Sequence, residues 1–250
     1  MTLARLSRQV LQQRLQCRQY DILAQEYYDA RRHPTCANFG EASSRALRGV
    51  LSAVPQKGRV LEIGCGRSTV AELLVASGGS LRPLMLTDAS PQMLLHSSQY
   101  ESLGAQCFVA DASDLPINAG SVELIVSSLG DPYNCFPFWH EVQRLLKPHG
   151  GGFFTTPSYD WCRAFRTTRG RDTAEFELAD RSRLETPSFI CSKGEQARMI
   201  EAAGLRLLEI VDVAAGAISR TPISSKLISG NALASVVTLY RFEKPSETDV

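Results

Sequence analysis

The chain has 250 residues, 44% hydrophobic and 21% charged, with a formal net charge of +1. That length suits a single domain with a substantial core, and the ordinary composition excludes collagen-like, coiled-coil and low-complexity architectures. A balance this close to neutral argues against a protein that mainly grips a nucleic-acid backbone, and no apolar run reaches the roughly 18 residues of a membrane-spanning helix.

Residues 1–20 carry Arg5, Arg8, Arg14 and Arg18 without an acid, and Leu3, Leu6, Val10, Leu11 and Leu15 recur at helical spacing. A mitochondrial transit peptide has this composition, but the segment is poor in serine and runs unbroken into Tyr20–Tyr28. An N-terminal helix lying on the domain is the favoured reading. Seven scattered cysteines without a CxxC pair read as reduced thiols of a cytoplasmic protein. His33 and Cys36 form half of a zinc pattern whose second half is missing, so no metal is expected.

From Arg59 onward, short apolar runs alternate with amphipathic stretches, the pattern of a parallel sheet wrapped by helices. Strands are expected at Arg59–Ile63, Leu84–Asp88, Gln106–Ala110, Leu124–Ser128 and Gly152–Thr156, with helices at Ser68–Ala76, Pro91–Leu103 and Phe136–Leu146. Ser68 and Ser90 stand at helix N-cap positions, Pro91 suits a first helical turn, and Lys147-Pro148-His149-Gly150 reads as a helix stop. Tyr159–Cys191 is irregular and rich in arginine. A helix at Gly194–Ala203 and strands at Arg206–Val213 and Ser235–Phe242 follow. The last two strands have no helical pattern between them and should pair antiparallel, giving a mixed sheet.

The most informative stretch is Val60-Leu61-Glu62-Ile63-Gly64-Cys65-Gly66-Arg67-Ser68. A buried strand ends in an acid, then turns through two glycines into a helix. Such a turn bends tightly and lets a ligand approach the backbone at the carboxyl edge of the sheet. A dinucleotide fingerprint would need glycine where Thr69 stands, and no GxxxxGK[ST] phosphate loop occurs. Glu62 would repel a diphosphate and suits a cofactor with a cationic end.

These residues resemble the first motif of the class I S-adenosylmethionine (SAM) dependent methyltransferases, E/D-x-G-x-G-x-G, with Ser68 replacing the third glycine. The resemblance continues along the chain. Thr87-Asp88-Ala89-Ser90-Pro91 is similar to the family's ribose-binding acid at the end of strand two, Ala110-Asp111-Ala112 to its adenine site, and Leu145–Gly151 to the turn before strand five. It implies a Rossmann-like α/β fold, a seven-stranded mixed sheet with helices on both faces and an antiparallel last strand. Residues 1–54 would be a helical lid and 55–250 the core, with 159–191 as a substrate-capping insertion. The implied cofactor set is Tyr28, Glu62, Gly64, Cys65, Gly66, Ser68, Asp88, Ala89, Met93, Asp111, Ala112 and Ser127. Tyr20-Asp21-x-x-Ala24-x-x-Tyr27-Tyr28-Asp29 resembles the lid helix of small-molecule members, and an ordinary aromatic helix staple is the alternative.

Acceptor contacts are expected just past strand four, at Asp131, Tyr133 and Asn134. This stretch faintly resembles the D/N-P-P-Y/F motif of amino-methylating enzymes but lacks one proline. Of the four histidines, His33 is the candidate general base, because the lid should pass over the substrate. The reading is methyl transfer from SAM to a small-molecule acceptor, without nucleic-acid, membrane or metal partners. The alternatives are an RNA or protein methyltransferase, a SAM-binding regulatory subunit without activity and, less favoured, a nicotinamide-dependent oxidoreductase.

Overall fold

The computed structural model describes residues 18–51, 58–166, 172–219, 222–228 and 234–246. The arginine-rich residues before 18 and Cys17 lie outside them. Four parallel strands lead into the centre of the sheet: β1 (Val60–Ile63), β2 (Leu84–Asp88), β3 (Gln106–Val109) and β4 (Val122–Ser127), followed by β5 (Leu146–Pro157). β6 (Thr173–Glu177) and β7 (Arg183–Pro187) form a separate antiparallel hairpin. β8 (Arg206–Ala214) and β9 (Ser235–Glu243) complete a seven-stranded sheet of order β3-β2-β1-β4-β5-β9-β8, in which β9 is antiparallel to β5 and β8. The mixed seven-stranded sheet is therefore as expected.

Alternation along the strands divides the core between the two faces of the sheet, because successive side chains point oppositely. Val60, Leu84, Leu86, Leu124 and Val126 pack on one face. Leu61, Ile63, Met85 and Ile125 pack on the other, with Phe138, Trp139, Phe154 and Phe242. Burial on both faces explains why the central strands read as unbroken apolar runs.

The helices are α1 (Pro34–Leu51), α2 (Thr69–Ala76), α3 (Pro91–Leu94, continued as 3-10 turns over Leu95–Leu103), α4 (Phe136–Leu145), α5 (Tyr159–Cys162), α6 (Lys193–Ala202) and α7 (Ser225–Ile228). Ser68 and Ser90 are side-chain N-caps, accepting from the Ala71 and Met93 amides. Ser192 and Glu195 form a capping box on α6.

Three expectations are corrected. The helix stops where expected, but Lys147–Gly150 is the start of β5 rather than a turn: the strand begins directly after α4, and its register against β4 shifts between Val122 and Leu124. Within the stretch read as irregular, β6 and β7 pair with each other. The boundary drawn at 54 also differs from the packing. α1 belongs to the core: Phe39 and Ala42 pack with Val213 and Val237, and Leu47 joins the cluster around Val60 and Val70. The Ser43 hydroxyl, fully buried, bonds Thr155 and Ser128 at 2.7 Å each.

Candidate active site

Strand order reverses between β1 and β4, and the crevice beyond their carboxyl ends is where open α/β sheets bind ligands. The chain leaves β1 through Gly64 (φ +64°) and Gly66 (φ +43°), left-handed conformations that suit glycine. Two tyrosines close on this turn. A Cβ on Gly64 would lie 2.2 Å from the Tyr133 hydroxyl, and one on Gly66 would lie 2.1 Å from the Tyr28 hydroxyl. Tyr133 donates to the Ile63 carbonyl at 2.7 Å and is 2.9 Å from the Ser127 hydroxyl. Tyr28 accepts from the Arg67 amide at 2.6 Å.

Glu62 does not face this crevice. Its side chain is on the α2 side of the sheet and fully buried, accepting from the Ser68 hydroxyl and from the Thr69 and Val70 amides (3.1 and 3.3 Å). These are amides at the start of α2, where a carboxylate also meets the positive end of the helix dipole. Burial still pushes its carboxyl up to about 7. Glu62 thus shapes the turn from behind, and the expectation that it would face a cationic cofactor end is corrected.

Four acids border the crevice, Glu41, Glu72, Asp88 and Asp111, and of these Asp88 and Asp111 stand at strand ends. Asp88, at the end of β2, accepts from the amides of Gly66 and Ser90 at 2.9 Å each, and burial raises its carboxyl to about 6. Asp111 follows β3 and accepts from the Ser113 amide and hydroxyl at 2.8 and 2.7 Å. With Cys65, Ala89, Met93, Ala112, Tyr28 and Tyr133, they line a cavity of about 790 Å³.

A second chamber of about 670 Å³ adjoins it, and Tyr20, Tyr27, Cys36, Leu129 and Pro132 line both. His33 and Asp131 belong to this second chamber. The β6–β7 hairpin and the turn over residues 24–32 cover it. Phe176 of β6 stacks 6.2 Å from Tyr27 and 5.5 Å from His33, and Glu26 accepts from the Ala179 amide at 3.1 Å.

Of the residues expected at the site, Glu62, Ser68, Ser127 and Asn134 line neither cavity. Ser68 caps α2, and Ser127 holds Tyr133. Asn134 is spent on structure: its amide donates to Phe189 O (3.0 Å) and Gln196 Oε1 (2.7 Å) and its oxygen accepts from the Trp139 indole (2.9 Å). It is buried behind the loop rather than presented to an acceptor. Sequence reasoning missed Cys36, Leu129 and Pro132 in the shared wall, and Ser188 and Arg166 beside Asp131. The latter two are 57 and 35 positions from Asp131, at a spacing no local pattern encodes.

The cavity suits a SAM-like nucleoside. Asp88, Asp111 and a backbone turn border it at three successive strand ends, and Tyr28 and Tyr133 close on the glycines. SAM supplies a methyl group on a sulfonium when bound.

Comparison with known proteins agrees with this geometry. Residues 60–150 match the family model described as a methyltransferase domain. A methyltransferase of Haloferax volcanii, solved in complex with the activator Trm112, superposes with a TM-score of 0.67 at 16% identity, over 93% of this chain and 98% of that one. Geranyl diphosphate C-methyltransferase of Streptomyces coelicolor, solved with S-adenosyl-L-homocysteine (SAH), gives 0.60 at 14% identity, over 82% and 79%. A zebrafish (Danio rerio) protein named mitochondrial arginine-hydroxylase NDUFAF5 is 33% identical over 112 residues, 44% of this chain. The match spans 34% of that relative's length. Residues 60–150 thus match a methyltransferase domain, and the chain shares the Rossmann-like fold of these solved methyltransferases. Among the described residues, no helix is long and apolar enough to cross a membrane.

Proposed function

We propose that the protein transfers a methyl group from SAM to a small-molecule acceptor. The observation that carries this reading is the pair of abutting cavities, one at the strand ends for the cofactor and one beneath the hairpin for the acceptor. In this reading Asp88 takes the ribose hydroxyls, Asp111 and the Ala112 amide take the adenine, and Tyr28 covers the methionine end. The acceptor presents its nucleophile at the wall formed by Tyr20, Tyr27 and Pro132. The protein's own contribution is alignment and exclusion of water. A covered chamber of about 670 Å³ favours a small molecule over a nucleic acid or protein segment. His33 is the proposed base: it is 7% exposed, and its Nε2 makes no hydrogen bond and lies 3.6 Å from the Glu26 carboxylate.

A second reading comes from the zebrafish relative, whose name denotes hydroxylation of arginine. Fold does not fix chemistry. Incubating purified protein with SAM and a panel of candidate acceptors, and reading SAH together with product mass, separates the two. Methyl transfer gives SAH in step with a product heavier by one methylene. A product heavier by one oxygen, without SAH, would replace the first reading with the second. A cytoplasmic location is proposed on the six free thiols among the described residues. A mitochondrial address, as in the zebrafish relative's name, is the alternative.

A further inference from the structure

We infer that the acceptor is an amine, bound as its ammonium ion by the buried carboxylate of Asp131 within the aromatic second chamber. This rests on the methyl-transfer reading above and names its substrate class.

Asp131 lines that chamber and is 8% exposed. Its Oδ2 accepts from the Ser188 hydroxyl, whose oxygen in turn accepts from Arg166 Nη2 at 2.6 Å. No other side-chain hydrogen bond reaches Asp131, and no cationic side chain lies within ion-pair distance of it, among the described residues. Of the other cations lining the chamber, Arg32 faces Glu26 and Asp29 at 3.7 and 3.9 Å, and Lys226 is exposed. A buried carboxylate without a direct counter-ion disfavours folding unless something neutralises it. Burial accordingly pushes its carboxyl up to about 6 in spite of Arg166.

The surroundings select the kind of cation. Tyr20, Tyr27, Phe39, Trp161 and Phe176 line the same chamber, and aromatic faces attract an alkylammonium while solvating its apolar body. An alcohol of the same shape would hydrogen-bond Asp131 but leave its charge uncompensated, and a carboxylate would be repelled. The Nε2 of His33 in the same chamber, which makes no hydrogen bond and lies 3.6 Å from the Glu26 carboxylate, supplies the remaining chemistry. The ammonium gives one proton to the Nε2 of His33. The freed nitrogen lone pair attacks the methyl carbon, forming the N–C bond as the C–S bond breaks and its electron pair stays on sulfur. The product leaves as a methylated ammonium ion. Asp131 acts here as the residue that selects the acceptor.

The test is calorimetric titration of the full chain, saturated with SAH, with benzylamine, 2-phenylethylamine and 4-phenylbutylamine, each paired with its alcohol. At least one amine should bind tenfold or more tightly than its alcohol, and Asp131→Asn should erase the gap while SAH affinity stays within about twofold. Equal binding within every pair, absence of amine binding, or a gap that survives Asp131→Asn would overturn the proposal. If Asp131→Asn fails to fold, Ser188→Ala, which removes the hydroxyl from Asp131, should alter the amine affinity and not the alcohol affinity; equal changes in both would overturn the proposal. Failure of the wild-type chain to bind SAH would instead overturn the methyl-transfer reading itself.

Discussion

The Tyr28 phenol accepts a hydrogen bond from the Arg67 amide at 2.6 Å, and the Arg67 guanidinium lies 4.9 Å from the centre of the same ring. A residue of the N-terminal segment thereby contacts the turn that leaves β1. The contact explains a glycine: a Cβ at Gly66 would lie 2.1 Å from Tyr28 and 3.1 Å from Met93. Gly66→Ala should destabilise by about 1–2 kcal/mol through its left-handed φ alone. The clash with Tyr28 should add to that. In a Tyr28→Ala background the clash is gone, and a double-mutant cycle read by urea denaturation should return a coupling of roughly 1 kcal/mol. Additive effects would show that Tyr28 does not close on the turn.

Glu62 carries a pH dependence whose sign follows from its burial. Its carboxyl rises from 4.5 to about 7 in the folded protein, so the folded state binds the proton more tightly than the unfolded chain. Its contribution to stability is fully present below about pH 4.5 and is lost as pH rises through 7. The shift corresponds to roughly 3 kcal/mol. Asp88 and Asp131 titrate in the same sense, so the comparison must be with Glu62→Gln. Stability of wild type relative to Glu62→Gln, from urea melts between pH 4.5 and 8, should fall with rising pH. Parallel profiles would contradict the assignment.

The N-terminal segment divides into a cover and a core piece. Deleting residues 1–33 removes Tyr20, Tyr27 and Tyr28 from the cavities and leaves α1 in place. Cooperative melting should survive, and SAH affinity should drop at least tenfold. Extending the deletion to residue 39 also removes Phe39, which is 8% exposed in the cluster with Val213 and Val237. Loss of a core phenylalanine typically costs about 3–5 kcal/mol, so the longer deletion should melt at markedly lower denaturant. Equal stability of the two truncations would place α1 outside the core.

Much of this architecture was legible in the sequence, because strands buried on both faces are written as apolar runs and their helices announce themselves by Ser68, Ser90 and Pro91. The acids at strand ends were legible for the same reason. What escaped depended on direction or distance. Glu62 sits between Leu61 and Ile63, whose side chains face α4, so alternation sends its own toward α2, where the helix amides claim it. β6 and β7 escaped because TAEFE and RLETP intersperse charges with few apolar residues, and they find cover against each other, the loop beyond β4 and, through Phe176, Tyr27 and His33. Asn134 looked like an acceptor contact by its place after β4, and only Gln196 and Trp139, brought in by α6 and α4, show that it is structural.

The central claim is that the cavity at the ends of β1, β2 and β3 is built for SAM. Isothermal titration of the intact protein with SAH and with NAD, each repeated on Asp88→Ala, tests it most directly. The account predicts SAH binding without comparable NAD binding, and a loss of roughly 1.5–3 kcal/mol in Asp88→Ala, the usual worth of hydrogen bonds to a charged group. NAD binding without SAH binding, or SAH affinity untouched by Asp88→Ala, would contradict it.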